Sequence, residues 1–201
     1  MHREDGMGRL YMMRHGQTLF NVLHRVQGWC DSPLTEDGIE QARRAGNWFR
    51  ERGIAFDHAY ASTAERACDT LELAFPGLPY TREKGLREHG FGVFEGLPEE
   101  TNPPYPYGDF YKVYGGETDD EARERVAKTL GAIMERPGHE CVLAVSHAGA
   151  CAMMLDAAGV DLTRLQVKRL GNCAVIVYDY HPASGFSLVE IVDPLADGGE
   201  A

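Results

Sequence analysis

The sequence predicts a single α/β domain with a mostly parallel sheet, on three observations. Apolar runs at 10–13, 56–61 and 141–145 each stop abruptly at polar residues and alternate with stretches of helical periodicity. Two β-rich runs near the C-terminus flank a turn and add an antiparallel edge strand. A chain of 201 residues, 43% apolar and 25% charged, is large and apolar enough to bury a core without disulfides or metal.

The elements follow in order. Leu10–Met13 is a buried strand that opens into a loop at Arg14-His15-Gly16. Thr35 is an N-cap ahead of Ile39, Ala42, Ala45 and Phe49, which gives an amphipathic helix over 36–52 ended by Gly53. Phe56–Ala61 is a second strand; Ser62-Thr63 then starts a helix with Ala67, Leu71 and Ala74 on its apolar face, stopped at Pro76-Gly77. The stretch 97–117, with four prolines, is a long irregular segment of the kind that forms lids and binding loops. Its tyrosines and phenylalanines either cover a ligand or pack the loop. Thr118 and Glu121 form a capping box before Ala122, Val126, Leu130 and Ile133, the best-defined helix of the chain. Cys141–Val145 is a third strand, ending at Ser146-His147, with an apolar helix over about 149–158 behind it. Ala174–Tyr178 and Ser187–Val192 form the antiparallel pair around the 181–185 turn, and about 1–8 and 194–201 are expected as flexible tails of the one domain, 1–201.

Charge and cysteine usage narrow the function. Acidic residues outnumber Lys and Arg by 31 to 20, a formal charge of −11 that opposes nucleic acid and anionic membrane partners. Any anion site must therefore be built from local positive charge. The five cysteines are odd in number and lack CxxC spacing, so they read as free thiols of a cytoplasmic protein. No apolar run reaches the roughly 18 residues that a membrane span requires. The histidines lack HxH or HxxxH spacing, so no metal site is expected.

In open parallel sheets, ligands bind at the carboxyl ends of the strands. Those ends carry Arg14 and His15, the helix start with Arg66, and His147. If the strands are neighbours, two arginines and two histidines share one pocket, which suits a phosphoryl group held by guanidinium forks. His15, between an arginine and a small glycine, is the candidate nucleophile. Glu88, in the loop ahead of the irregular segment, is the candidate proton donor.

These residues carry a resemblance. Arg14-His15-Gly16 with Thr18 and Asn21, Gln27 to Thr35 with Gly38, Ser62 to Ala67 with Thr70, Glu88 with Phe91-Gly92 and Glu95-Gly96, Gly115 to Glu117, and Val145 to Gly149 stand in the order found in the histidine phosphatase superfamily, the phosphoglycerate-mutase-like proteins. The chain resembles that family over about residues 9–180. The resemblance implies a three-layer α/β/α sandwich and a phosphohistidine on His15. It implies that Arg14, Arg66 and His147 bind the phosphoryl oxygens, that Asn21, Gln27 and Gly28 contribute further phosphate or substrate contacts, and that Glu88 protonates the leaving oxygen. Two arginines and a histidine stand in for a metal, so no cofactor is expected, and the partner is a small phosphorylated substrate. Asp31, Thr35 and Gly38 are read as shaping a turn and a helix start. Mutases of the family carry an extra arginine pair for the substrate carboxylate; no adjacent pair occurs between Glu88 and His147, which favours a phosphatase. The alternatives are a mutase and a non-catalytic phosphate-binding module.

Overall fold

The structure, a computed structural model, describes residues 7–161 and 170–196. Six strands form one sheet: β1 (Gly8–Arg14), β2 (His58–Ser62), β3 (Thr81–Glu83), β4 (Cys141–Ser146), β5 (Val175–His181) and β6 (Gly185–Val192), in the order β3-β2-β4-β1-β5-β6. The pairs β2·β3, β2·β4 and β1·β4 are parallel, β5 runs against β1, and β6 returns along β5 to make the edge.

Alternation along the central strands creates the layers, because successive side chains of a strand face opposite sides. Leu10 and Met12 of β1, Val142 and Ala144 of β4, and Ile176 and Tyr178 of β5 pack with α4 (Asp119–Met134) and α5 (Ala148–Ala157). Tyr11 and Met13, Leu143 and Val145, and Val175 and Val177 pack on the other face with α2 (Glu36–Glu51) and α3 (Glu65–Ala74). Each fully buried large apolar side chain adds roughly 1.5–3 kcal/mol to this sandwich. The result is a three-layer α/β/α arrangement.

The helix boundaries have local causes. Thr35 accepts from the Gly38 N–H at 3.0 Å, and Thr118 and Glu121 close a reciprocal capping box at 3.0 Å each way. Gly38 has a second role: a Cβ there would lie 2.0 Å from the Gln17 carbonyl oxygen, so only glycine lets the start of α2 approach the loop after β1. A short helix, α1 (Leu19–Val22), is capped by Thr18 and Asn21.

The second predicted helix begins later than its Ser62-Thr63 signal. Ser62 ends β2, and α3 starts at Glu65, whose N–H is accepted by the distant Asp31 carboxylate. The three-residue β3 is partly exposed and charged, so its composition carries no strand pattern. In the irregular segment, Tyr111 is fully buried and packs with Val26 and Phe91 while its hydroxyl donates to Asn102 at 2.8 Å. Of the expected tails, 1–6 and 197–201 lie outside the described residues; β1 begins at Gly8, and the Leu195 carbonyl accepts from Arg44 at 2.7 Å. No helix of the described residues is long and apolar enough to cross a membrane.

Candidate active site

Because β1 and β2 both flank β4, the ends of three neighbouring strands converge on one crevice. Arg14 is in register with Ser146, and His15 and His147 follow directly. The rings of His15 and His147 meet edge to face with centroids 5.3 Å apart.

His15 is 4% exposed, and its Nδ1 lies 2.7 Å from the Gly16 carbonyl oxygen. A carbonyl accepts only, so Nδ1 carries the proton and Nε2 keeps its lone pair. Burial, then the charges of Arg66 and Arg14, hold His15 well below the ordinary histidine value, against the opposing Gly16 carbonyl. Burial and the charges of Arg66, His15, Arg14 and Arg125 do the same to His147. An unprotonated imidazole with a fixed tautomer is the form a nucleophile needs.

This depression has a consequence for stability. Both histidines titrate near pH 6.5 once unfolded and well below it when folded, so unfolding takes up protons under acid conditions. Stability is therefore fully present above about pH 6.5 and is lost as pH falls toward the folded values, by up to about 1.4 kcal/mol per pH unit for each group. Denaturation midpoints at stepped pH are expected to fall from pH 6.5 to 5, and less steeply in His147→Gln; equal slopes for both proteins would contradict this.

Arg66 is fully buried, and its five donors divide in two. Nη1 donates to the Cys30 carbonyl and the Asp31 carboxylate, and Nη2 donates to the Gly28 carbonyl, each at 2.9 Å. That leaves Nε–H, which is buried without a partner among the described residues, and the second Nη2–H. Two parallel N–H groups on one guanidinium edge match two oxygens of a phosphoryl group. The Arg14 guanidinium lines the cavity and donates through Nη1 to the Leu170 carbonyl.

Glu88 reaches the same crevice from the loop after β3. Its Oε1 accepts from the N–H groups of His89 at 2.9 Å and Ala150 at 2.8 Å, and Oε2 accepts from Gly149 at 2.9 Å. A Cβ on residue 149 would lie 2.5 Å from Oε1, so the glycine at the start of α5 makes room for the carboxyl. The loop is clamped from behind: Arg125 donates to the carbonyls of Gly85, Arg87 and Glu88 at 2.9–3.0 Å, and Ser146 donates to Leu86 at 2.7 Å. Arg125 is thereby committed to structure. Arg123 pairs with Asp120 and Asp156, and neither arginine lines the cavity.

The remaining predicted contacts divide. Asn21 lines the cavity; its Oδ1 accepts from Thr18 N–H and Asn172 Nδ2, leaving its amide nitrogen as the donor end. Gln27 also lines it, and accepts from Thr18 and donates to Ser32. Gly28 offers a ligand nothing: its N–H goes to Glu95 at 3.0 Å and its carbonyl to Arg66. It positions the arginine instead. Asp31 shapes its turn and also orients Arg66.

Three further residues support the site. Glu95 accepts from the N–H groups of Gly28, Trp29, Cys30 and Phe91 at 2.8–3.1 Å, folding the loop whose carbonyls hold Arg66. Burial works to raise its pKa, but the Cys30 thiol and the N–H groups of Trp29, Cys30 and Phe91 outweigh that and hold the carboxyl below the ordinary range. Asn172 donates to the His15 carbonyl at 3.1 Å as well as to Asn21. His89 is buried in the cavity wall, with Nε2 3.3 Å from Asp119. The pairing of Glu95 with Gly96 was the one sequence signal available; Asn172 and His89 had none.

Beyond the histidines, a cavity of about 730 Å³ opens toward the irregular segment. Its walls include Phe91, Pro103, Pro104, Tyr105, Met153 and Leu155. Among the described residues its lining holds two arginines, Arg14 and Arg25, with His15 and His89, and Arg25 donates to the Gly96 carbonyl at 2.7 Å. Within the segment, Tyr111 packs the loop, and Tyr105 and Tyr107 line the cavity. Among the described residues no cluster of His, Cys, Asp and Glu is arranged to hold a metal ion.

Residues 10–194 match the family model of the histidine phosphatase superfamily, branch 1. A 2,3-bisphosphoglycerate-dependent phosphoglycerate mutase of Lactobacillus acidophilus is 36% identical over 108 residues, 51% of this chain and 46% of that protein, so the match spans less than half of that relative. The structure of a phosphoglycerate mutase from Bacillus anthracis superposes with a TM-score of 0.83 at 25% identity, covering 97% of this chain and 98% of the other. A phosphoserine phosphatase from Entamoeba histolytica, solved with 3-phosphoglyceric acid, superposes with a TM-score of 0.76 at 24% identity over 92% and 97% of the two chains, a likeness of fold.

Proposed function

The chain belongs to the histidine phosphatase superfamily, branch 1, whose members are phosphatases or mutases, and from that premise we propose that it is a metal-independent phosphatase of small phosphomonoesters. In this reading Nε2 of His15 attacks phosphorus in line: the N–P bond forms as the bond to the ester oxygen breaks, and Glu88 gives that oxygen its proton. Oε2 accepts one N–H where Oε1 accepts two, so Oε2 is the oxygen with the freer lone pair for proton exchange. Water then attacks phosphorus and gives up a proton to Glu88 as the N–P bond to His15 breaks, returning Nε2 its lone pair and releasing phosphate. The charge spread over the equatorial oxygens meets Arg14, the open edge of Arg66, His147 and the Asn21 amide, which take the place of a metal. Such a site works by positioning and neutralisation.

The observation that favours hydrolysis over mutase chemistry is the leaving-group cavity. A mutase must hold the carboxylate of a glycerate while it returns the phosphoryl group. Among the described residues, Arg123 and Arg125 are turned away, Arg25 is engaged at the rim, and the walls are largely apolar and aromatic. A leaving group without charge fits, since a desolvated and unpaired carboxylate is costly. The mutase names of the relatives favour the second reading, a phosphoglycerate mutase.

Phosphate release in excess EDTA separates the two. Aryl, nucleoside and sugar-alcohol monophosphates are expected to turn over at least roughly tenfold faster than 3-phosphoglycerate, the minimum that an unpaired buried charge should cost. Isomerisation of 3-phosphoglycerate in the presence of 2,3-bisphosphoglycerate, without phosphate release, would overturn the phosphatase in favour of the mutase.

A further inference from the structure

Ser62 stands at the predicted helix start, yet α3 has no side-chain cap and begins beyond it. It lies at the end of β2, fully buried, with Oγ 2.7 Å from Nε2 of His147, which is fully buried as well. The other polar neighbour of Oγ among the described residues is the Ala64 N–H at 3.4 Å, which is a donor. The hydroxyl proton therefore has one acceptor within reach, Nε2 of His147, and a buried hydroxyl does not forgo its only acceptor. On the far side of the ring, Nδ1 of His147 is buried with no hydrogen-bond partner.

We infer that Ser62 is a positioning residue that fixes His147 as the Nδ1–H tautomer, so that a neutral imidazole donates to a phosphoryl oxygen. The inference rests on the reading of this crevice as a phosphoryl site. The alternative tautomer would turn the Nδ1 lone pair toward the anion and repel it. Protonation of His147 would supply a donor without help from Ser62, but burial and the nearby Arg66, His15 and Arg14 charges keep the ring neutral. In water a free imidazole side chain prefers the Nε2–H form, so the Nδ1–H form has to be imposed, and the partner of the other nitrogen imposes it. Carbonyl Gly16 selects Nδ1–H on His15 to expose a lone pair; hydroxyl Ser62 selects Nδ1–H on His147 to expose a donor.

The test reads the tautomer directly, from long-range 1H–15N correlations of histidine-labelled protein at neutral pH, with His147 assigned by its loss in His147→Gln. The wild type is expected to show a protonated Nδ1 and a bare Nε2. Ser62→Ala is expected to move the proton to Nε2 in part or in full, and to weaken orthovanadate binding by about 10- to 100-fold, the scale of a hydrogen bond to a charged group. A wild-type His147 protonated at Nε2 overturns the inference without any variant. So does a Ser62→Ala protein that keeps both Nδ1–H and full vanadate affinity. The expected tautomer and vanadate response in a protein that hydrolyses no phosphomonoester would support the inference while removing the phosphatase reading.

Discussion

Replacing His15 by alanine is expected to lower phosphate release by roughly 10⁴-fold or more, the scale on which removal of a covalent nucleophile acts in other enzymes. The expectation rests on the absence of a substitute. His147 lies closest, with ring centroids 5.3 Å away, but its Nε2 is bonded to Ser62 and its Nδ1 is committed to donation under the inference above. Neither nitrogen offers a lone pair in line. The variant should also fail to retain labelled phosphate from a radiolabelled monoester, whereas the wild type should trap an acid-labile, base-stable label when quenched during turnover. The ring is almost fully buried, so thermal unfolding must be measured alongside. Turnover within tenfold of wild type in a folded His15→Ala protein would remove the phosphohistidine.

Arg66→Ala is expected to cost on the order of 10²–10³ in turnover, as loss of a fixed oxyanion donor does elsewhere, and to lower stability too. Its guanidinium satisfies the carbonyls of Gly28 and Cys30 and the Asp31 carboxylate, and truncation leaves these without their donor. Each buried group so stranded costs about 1–3 kcal/mol, less at the 30% exposed Asp31. Arg66→Lys separates the two effects. Its ammonium keeps the charge, but three donors on a single nitrogen cannot serve both the loop and a flat pair of phosphoryl oxygens. Turnover should therefore fall in Arg66→Lys by nearly as much as in Arg66→Ala, with a smaller loss in denaturation midpoint. Near-normal kcat/KM in either variant would show that the open edge of Arg66 does not face the substrate.

Much of this fold is legible in local sequence pattern. Continuous apolar runs in Leu10–Met13 and Cys141–Val145 specify strands buried on both faces, and the Thr118–Glu121 box specifies where α4 begins, because those patterns are set by chemistry within a few residues. The same locality made Arg14-His15 and His147 visible as polar residues stopping apolar strands. The order β2-β4-β1, which brings those stops together, followed from alternation only as a condition: that the strands be neighbours.

What the tertiary structure alone decided is how each side chain spends its hydrogen bonds. Gly28, a substrate contact by resemblance, supplies the carbonyl that holds Arg66; Ser62, at the predicted helix start, is the partner of a histidine 85 residues away; Arg125, on α4 with Arg123, turns inward to clamp the Glu88 loop. Glu95 folds the 28–30 loop across a separation of 65–67 residues. A buried donor or acceptor must find a partner wherever the packed chain supplies one, and that choice follows distance in space. Periodicity and capping, by contrast, are written at spacings of two to four residues, so the sequence by itself determined the layers and marked the candidate site residues, and packing determined the partners of the two histidines, the open guanidinium edge and the shape of the cavity.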